Sequence, residues 1–251
     1  MMKPRLSYTI WFSQRTGSSL LCMALEATGI AGRPHEHFNF DTSLLEEYQL
    51  SDYGEIQQHL WEAGSTHNGI FGCKHSFSEP RFSRLIEELR QFPTCPSAET
   101  NRTAIWEYAF PNHKHIFMTR RNKVRLAVSW WKAIQTQEWH LRPGQSHRAM
   151  DLSNSYNYEA INHLYNECSM REAGIQDFFA EGGIVPLNIF YEDFIEGYEL
   201  TLRTILEYVD AGNQPAKIPP PPLAKTADEV SEEWVQRFRE DRQKDWPNRG
   251  W

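Results

Sequence analysis

Residues 7–12, Ser-Tyr-Thr-Ile-Trp-Phe, form an apolar β-type run that stops at Ser13. From Leu20 the apolar spacing changes. Leu20, Leu21, Ala24 and Leu25 share one helical stripe, predicting a helix from about Ser18 to Thr28 that ends at Gly29. The two patterns then alternate. Further strands are predicted at Gly69–Lys74, His115–Met118 and Val185–Phe190. Further helices are predicted at Phe82–Gln91, Val124–Trp139, Tyr156–Ala180, Ile195–Val209 and Val230–Lys244, the last with Trp234 and Phe238 one turn apart. Residues 40–66 read as helical and acidic, with Leu44, Leu45, Tyr48 and Leu60 as the buried positions. Residues 93–103 and 141–153 read as loops, and Gln214–Leu223, with five prolines, as extended chain.

Strands alternating with helices predict a three-layer α/β architecture: a mainly parallel central sheet with helices on both faces. Crossovers are then right-handed, and ligands bind at the carboxyl ends of the strands. At 251 residues the chain suits one domain, 1–251, that needs no disulfide or metal to hold its core. Its four cysteines, Cys22, Cys73, Cys95 and Cys168, show no C-x-x-C and no zinc-type spacing. They fit a reducing compartment. No apolar stretch approaches a membrane span and the N-terminus carries no signal-type core, so the expectation is a cytoplasmic protein without a transmembrane segment. The net charge of −7 argues against a nucleic-acid partner. It does not argue against one anionic ligand, because basic residues cluster locally at 114–125. Nine tryptophans exceed what a core usually requires, so some are expected to line a site, where sugars stack on ring faces.

The first strand passes through Gln14-Arg15-Thr16-Gly17-Ser18-Ser19 into a helix N-terminus. Such a junction binds phosphate, because free backbone N–H groups and the helix dipole face the anion. The Walker lysine is missing. Arg15 would supply the cation, Thr16, Ser18 and Ser19 the hydroxyls, and Gly17 the close backbone approach. The alternative is an ordinary serine-capped strand–helix turn. A second junction follows the third predicted strand, where a basic turn with Arg120, Arg121 and Lys123 leads into a helix carrying Ser129.

Four stretches, "SQRTGSSLLCMALEATGIAGRPHEHF", "GIFGCKHSF", "RRNKVRLAVSWWKAIQTQEW" and "SEEWVQRFREDRQKD", resemble bacterial trehalose sulfotransferases in the same order. That family takes its sulfuryl group from 3′-phosphoadenosine 5′-phosphosulfate (PAPS). The resemblance implies a P-loop-like sulfotransferase fold, a carbohydrate or glycolipid acceptor, and a homodimer. It assigns Gln14, Arg15, Thr16, Gly17, Ser18 and Ser19 to the 5′-phosphosulfate, and Arg120 with Ser129 to the 3′-phosphate. The family usually has proline after that arginine. Here Arg121 stands there, which leaves Arg120 and Arg121 as alternatives, with Arg120 the better fit counting back from Ser129.

Glu36, in Gly32-Arg-Pro-His-Glu-His-Phe38, matches the family's glutamate base. His35 and His37 flank it, and an unperturbed imidazole has the more suitable pKa. In extended chain both would face away from the side that Glu36 faces. Lys74 matches a family lysine that would stabilise the leaving group or bind acceptor. Trp130, Trp131 and Trp139 are candidates for sugar stacking, and Arg237 and Arg239 for closing over the nucleotide. Residues 37–68, the part expected to choose the acceptor, match the family least. Two other readings stay open: a nucleotide-dependent kinase with a degenerate P-loop, and a non-catalytic nucleotide-binding protein. No metal site is expected.

Overall fold

β1 (Leu6–Phe12) is buried along its whole length, as a strand covered on both faces must be. It pairs in parallel with β2 (Ile70–Ser76) on one side and β3 (His113–Thr119) on the other, and β3 pairs in parallel with β4 (Leu187–Phe190). The sheet order is β2–β1–β3–β4. The computed structural model describes residues 3–38, 41–148, 150–212 and 217–250. Part of the expected proline-rich stretch, 214–216, lies outside the described residues, as does position 40 at the start of the expected acidic helical region.

Side-chain alternation along β1 divides the core. Tyr8, Ile10 and Phe12 pack with α1 (Ser18–Glu26), Phe194 of α8 (Tyr191–Glu196), and Leu202 and Ile205 of α9 (Tyr198–Tyr208). Trp11, on the opposite face, packs with α3 (Tyr53–Gly64), α4 (Arg81–Leu89), α5 (Arg102–Ala109) and α7 (Tyr158–Gly182). Its ring centroid lies 4.8 Å from those of both Trp106 and Phe178. Truncating such a side chain costs about 3–5 kcal/mol. A third cluster joins α6 (Lys123–Thr136), α7 and α10 (Glu229–Gln243), with Trp234 and Phe238 buried as their spacing predicts.

Several boundaries differ from expectation. The acidic stretch 40–66 is two helices, α2 (Leu44–Tyr48) and α3, each with its own cap: Ser43 accepts from Glu46 N, and Asp52 from Gly54 N and Glu55 N. α5 has no counterpart in the sequence reading, and it begins inside the expected 93–103 loop. Asn101 starts it by accepting from Thr103 N and Ala104 N. α6 stops at Thr136, short of Trp139, because Gln137 adopts a left-handed conformation at φ 54°. β4 runs straight into α8, which precedes α9 where one helix is expected.

The pairing register sets the site. Phe12 lies opposite Ser76 of β2 and Met118 of β3, so three neighbouring strands end level with one another. The β1–α1 loop and the β3–α6 turn emerge side by side from that edge.

Candidate active site

Gly17 caps α1 at φ 88°, and no side chain caps the helix. Gly17, Ser18 and Ser19 line a cavity of about 370 Å³. Uncapped first-turn N–H groups and the positive end of the helix dipole therefore meet that cavity. A Cβ at Gly17 would stand 2.6 Å from the Tyr191 ring, so glycine is required there by contact as well as conformation.

Arg120 and Ser129 line the same cavity. Arg15 reaches Ser129: its Nε donates to Ser129 Oγ at 3.1 Å and its Nη1 to the Trp139 carbonyl at 2.6 Å. Burial, and then the neighbouring Arg120, pull the Arg15 pKa down to about 10. Arg120 is lowered too, by burial, against opposing contributions from Tyr191 and Glu192. Its guanidinium lies 4.6 Å over the Tyr191 ring, and its buried Nε makes no hydrogen bond. Two buried guanidiniums in one cavity destabilise each other's charge, and a bound anion would relieve both.

Arg121 turns away. Its guanidinium makes two 2.6 Å hydrogen bonds with Asp193 and stacks on Phe190. Of the two arginines, Arg120 is the one that faces Ser129. Thr16 differs from expectation: its hydroxyl donates to the Ser13 carbonyl at 2.9 Å and is fully buried. It braces the loop from inside and is not among the cavity-lining residues.

Gln14 faces a second cavity of about 280 Å³ on the other side of the loop, whose lining includes Glu36, Phe38, His75, Ser76, Arg84 and Arg171. Gln14 Nε2 donates to Ser76 Oγ at 3.1 Å, and Arg171 Nη1 donates to the same oxygen at 3.0 Å. Gln14 thus departs from Arg15, Gly17, Ser18 and Ser19, which line the first cavity.

Glu36 and Lys74 stand between the cavities. Lys74 Nζ lies 2.8 Å from Glu36 Oε1 and 3.4 Å from Ser19 Oγ. The lysine side chain is 13% exposed and the glutamate 34%. His35 points outward to Glu26, at 3.1 Å. His37 is buried, its Nε2 has no partner, and burial pushes its pKa down to about 4. The alternation expected around Glu36 is the one observed.

The remaining candidates are placed as follows. None of the described tryptophans lines the second cavity, where Phe38 and His75 supply the rings. Trp131 donates to the Ser155 carbonyl, Trp130 packs in the α6–α7–α10 cluster, and Trp139 lines the first cavity. Arg237 lies over Tyr156, and α10 presents Ser231 and Val235 to the first cavity in place of Arg237 and Arg239. Sequence reasoning missed Arg84 and Arg171, which look like helix-surface arginines; Arg171 even has an i, i+4 glutamate partner in Glu167. It also missed Tyr191 and His140. Burial, with Arg15 and Lys74 nearby, lowers the His140 pKa. The immediate passage from β4 into helix at Tyr191 was the one available signal.

The arrangement offers an anion site at a helix N-terminus, a carboxylate at the neighbouring cavity, and an ammonium between them. Among the described residues no group of three or more His, Cys, Asp or Glu is placed to share a metal ion, and no helix is long and apolar enough to cross a membrane. Comparison with known proteins finds sulfotransferases. Two trehalose 2-sulfotransferases are similar over nearly their whole length. The one from Mycolicibacterium smegmatis is 28% identical across 95% of this chain and 96% of its own. The one from Mycobacterium tuberculosis is 29% identical across 92% and 94%. The fold is similar to that of a sulfotransferase crystal structure from Alicyclobacillus acidocaldarius, with a TM-score of 0.51 at 14% identity over 94% of this chain and 92% of the other. The profile of the Stf0 sulphotransferase family matches residues 7–241, and the chain belongs to that family of sulfotransferases.

Proposed function

We propose that the chain moves the sulfuryl group of PAPS to a hydroxyl of a trehalose-like sugar or glycolipid headgroup, with Glu36 as general base. The carrying observation is the Glu36–Lys74–Ser19 series, which joins the cavity of the carboxylate to the cavity of the uncapped helix. The first cavity fits a nucleotide with two separated phosphate groups. One would meet the N-terminus of α1 at Gly17, Ser18 and Ser19. The other would meet Ser129 and the guanidinium of Arg120, whose buried Nε makes no hydrogen bond. Once bound, PAPS supplies an electrophilic sulfuryl group.

Glu36 accepts the proton of the acceptor hydroxyl at a carboxylate oxygen. Lys74, beside it, offsets negative charge on either side of the junction. The residues around the second cavity suit a sugar, with Phe38 and His75 offering ring faces and Gln14, Ser76, Arg84 and Arg171 offering polar groups. Phe38, Thr42 and Leu44 contribute to that lining, which supports the expectation that residues 37–68 select the acceptor.

The test is sulfuryl transfer from PAPS to trehalose and related sugars without added metal. Wild type should transfer, and Glu36→Gln should lose about 10²–10⁴ in kcat while binding 3′-phosphoadenosine 5′-phosphate (PAP) as before. Full activity of Glu36→Gln would refute the base assignment. ATP-dependent phosphoryl transfer would favour the kinase reading. The same reading carries a homodimer, and a monomer mass in light scattering at micromolar concentration would oppose it.

A further inference from the structure

We infer that Glu172 is a positioning residue that sets the distance between the two phosphate-binding turns of the donor cavity. It rests on the donor reading above. Glu172 sits on α7, far along the chain from both turns, and its side chain is 12% exposed. Oε1 accepts from Ser13 Oγ at 2.8 Å. Oε2 accepts from Thr119 Oγ1 at 2.9 Å and from Lys123 Nζ at 2.6 Å. Lys123 Nζ also donates to Thr119 Oγ1 at 2.7 Å.

The places where these bonds end make the argument. Ser13 directly follows β1 and opens the loop that carries Gly17, Ser18 and Ser19. Its carbonyl also receives the Thr16 hydroxyl, so the base of the loop is held from both sides. Thr119 ends β3 and directly precedes Arg120. Lys123 begins α6, the helix that carries Ser129. One carboxylate therefore fastens the roots of both turns to each other. The preceding residue, Arg171, ties Ser76 at the end of β2, so consecutive residues of α7 hold the ends of three adjacent strands. A carboxylate this deep is costly unless its oxygens are filled by donors, and here three donors fill them. Charge-assisted bonds of this kind are about twice as strong as neutral ones, which suits a spacer that must not yield.

The consequence is selective. A ligand with phosphates at both ends of a ribose needs both turns at one fixed distance. A ligand with a single phosphate does not. A merely structural ion pair would change thermal stability and leave that difference alone.

The experiment is calorimetric titration of PAP, AMP and adenosine 3′-monophosphate into the full chain. It compares wild type, Glu172→Gln, and a Ser13→Ala/Thr119→Val double variant that keeps the Glu172–Lys123 pair. The expected result is a fall of about tenfold or more in the preference for PAP over AMP in both variants, with each single-phosphate ligand within about twofold of wild type. A PAP preference unchanged in the folded double variant overturns the inference, whether or not Glu172→Gln folds. Absence of any PAP preference in wild type overturns the donor reading itself, and the inference with it.

Discussion

Lowering the pH from 7.5 to 5.5 should strip about 4 kcal/mol from the folding stability, through histidines rather than carboxylates. His37, His75 and His115 are buried, and burial pushes each pKa down to about 4. His113 is pushed well down too, by burial and then by His115. Two of these rings act as acceptors. The Trp11 indole donates to His115 Nδ1 at 3.0 Å, and the Trp106 indole to His113 Nε2 at 3.2 Å. An indole nitrogen only donates, so a proton on either ring nitrogen would set N–H against N–H. The folded-state pKa values lie below the unfolded value of about 6.5. The neutral form is thus favoured in the fold. The stabilisation is complete above pH 6.5 and is lost as the pH falls towards 4. At pH 5.5 the loss is between about 1 and 2 kcal/mol for each histidine, hence about 4 kcal/mol for the three with values near 4, and His113 adds to it. Urea unfolding at the two pH values and fixed ionic strength measures the difference. With a slope of about 3 kcal/mol/M, the midpoint should fall by more than roughly 1 M. His75→Phe should reduce the pH-dependent part by about 1 kcal/mol. Midpoints that agree within roughly 0.3 M would refute the claim that these rings are buried in their neutral form.

Gly17→Ala should cost about 1–2 kcal/mol in backbone strain and displace Tyr191 from beneath Arg120. PAP affinity should then fall at least about tenfold by calorimetry, with a lower melting temperature by scanning calorimetry. Arg120→Ala should weaken PAP by about 10- to 100-fold, the worth of charge-assisted bonds, whereas Arg121→Ala should leave PAP affinity within about twofold. Comparable losses in both variants would contradict the outward orientation of Arg121. Asn101→Ala removes the cap of α5 and should lower stability by about 1 kcal/mol in urea unfolding, with no effect on ligand binding.

The strand–loop–helix at 7–26 is legible because hydrophobic spacing changes period within a few residues, and the level strand ends then bring Arg120 beside that loop. What each loop residue faces is not legible. Gln14, Arg15 and Thr16 are consecutive, yet they go to the second cavity, the first cavity and the interior. Arg15 itself sits at φ 65°, a turn that no local preference of arginine announces. α5 is hidden because it has only eight residues and follows a proline-containing loop, so its capping asparagine was the one signal. Arg171 and Glu172 are hidden for a different reason. On the long α7 they read as ordinary charged positions, and only the three-dimensional crossing of that helix over the strand ends makes them part of the site.

The charge of the whole chain and the charge of the donor cavity pull in opposite directions, and distance decides between them. A net −7 spread over the surface repels polyanions at long range, but salt screens it beyond about 8–10 Å. Within the cavity the pairing of cations is uneven. Arg125 is matched with Glu232 and Lys132 with Asp228. Arg15 is held by two hydroxyls, of Ser129 and Thr226, and a carbonyl, and Arg120 Nε lies 3.8 Å from the Glu192 carboxylate. The matched pairs hold α6 and α10 together, and the poorly matched ones stand where the uncapped α1 N-terminus already favours negative charge. A single compact anion therefore meets a local positive field that the overall charge does not cancel. An acidic chain can therefore still present a cavity whose local field suits a compact anion.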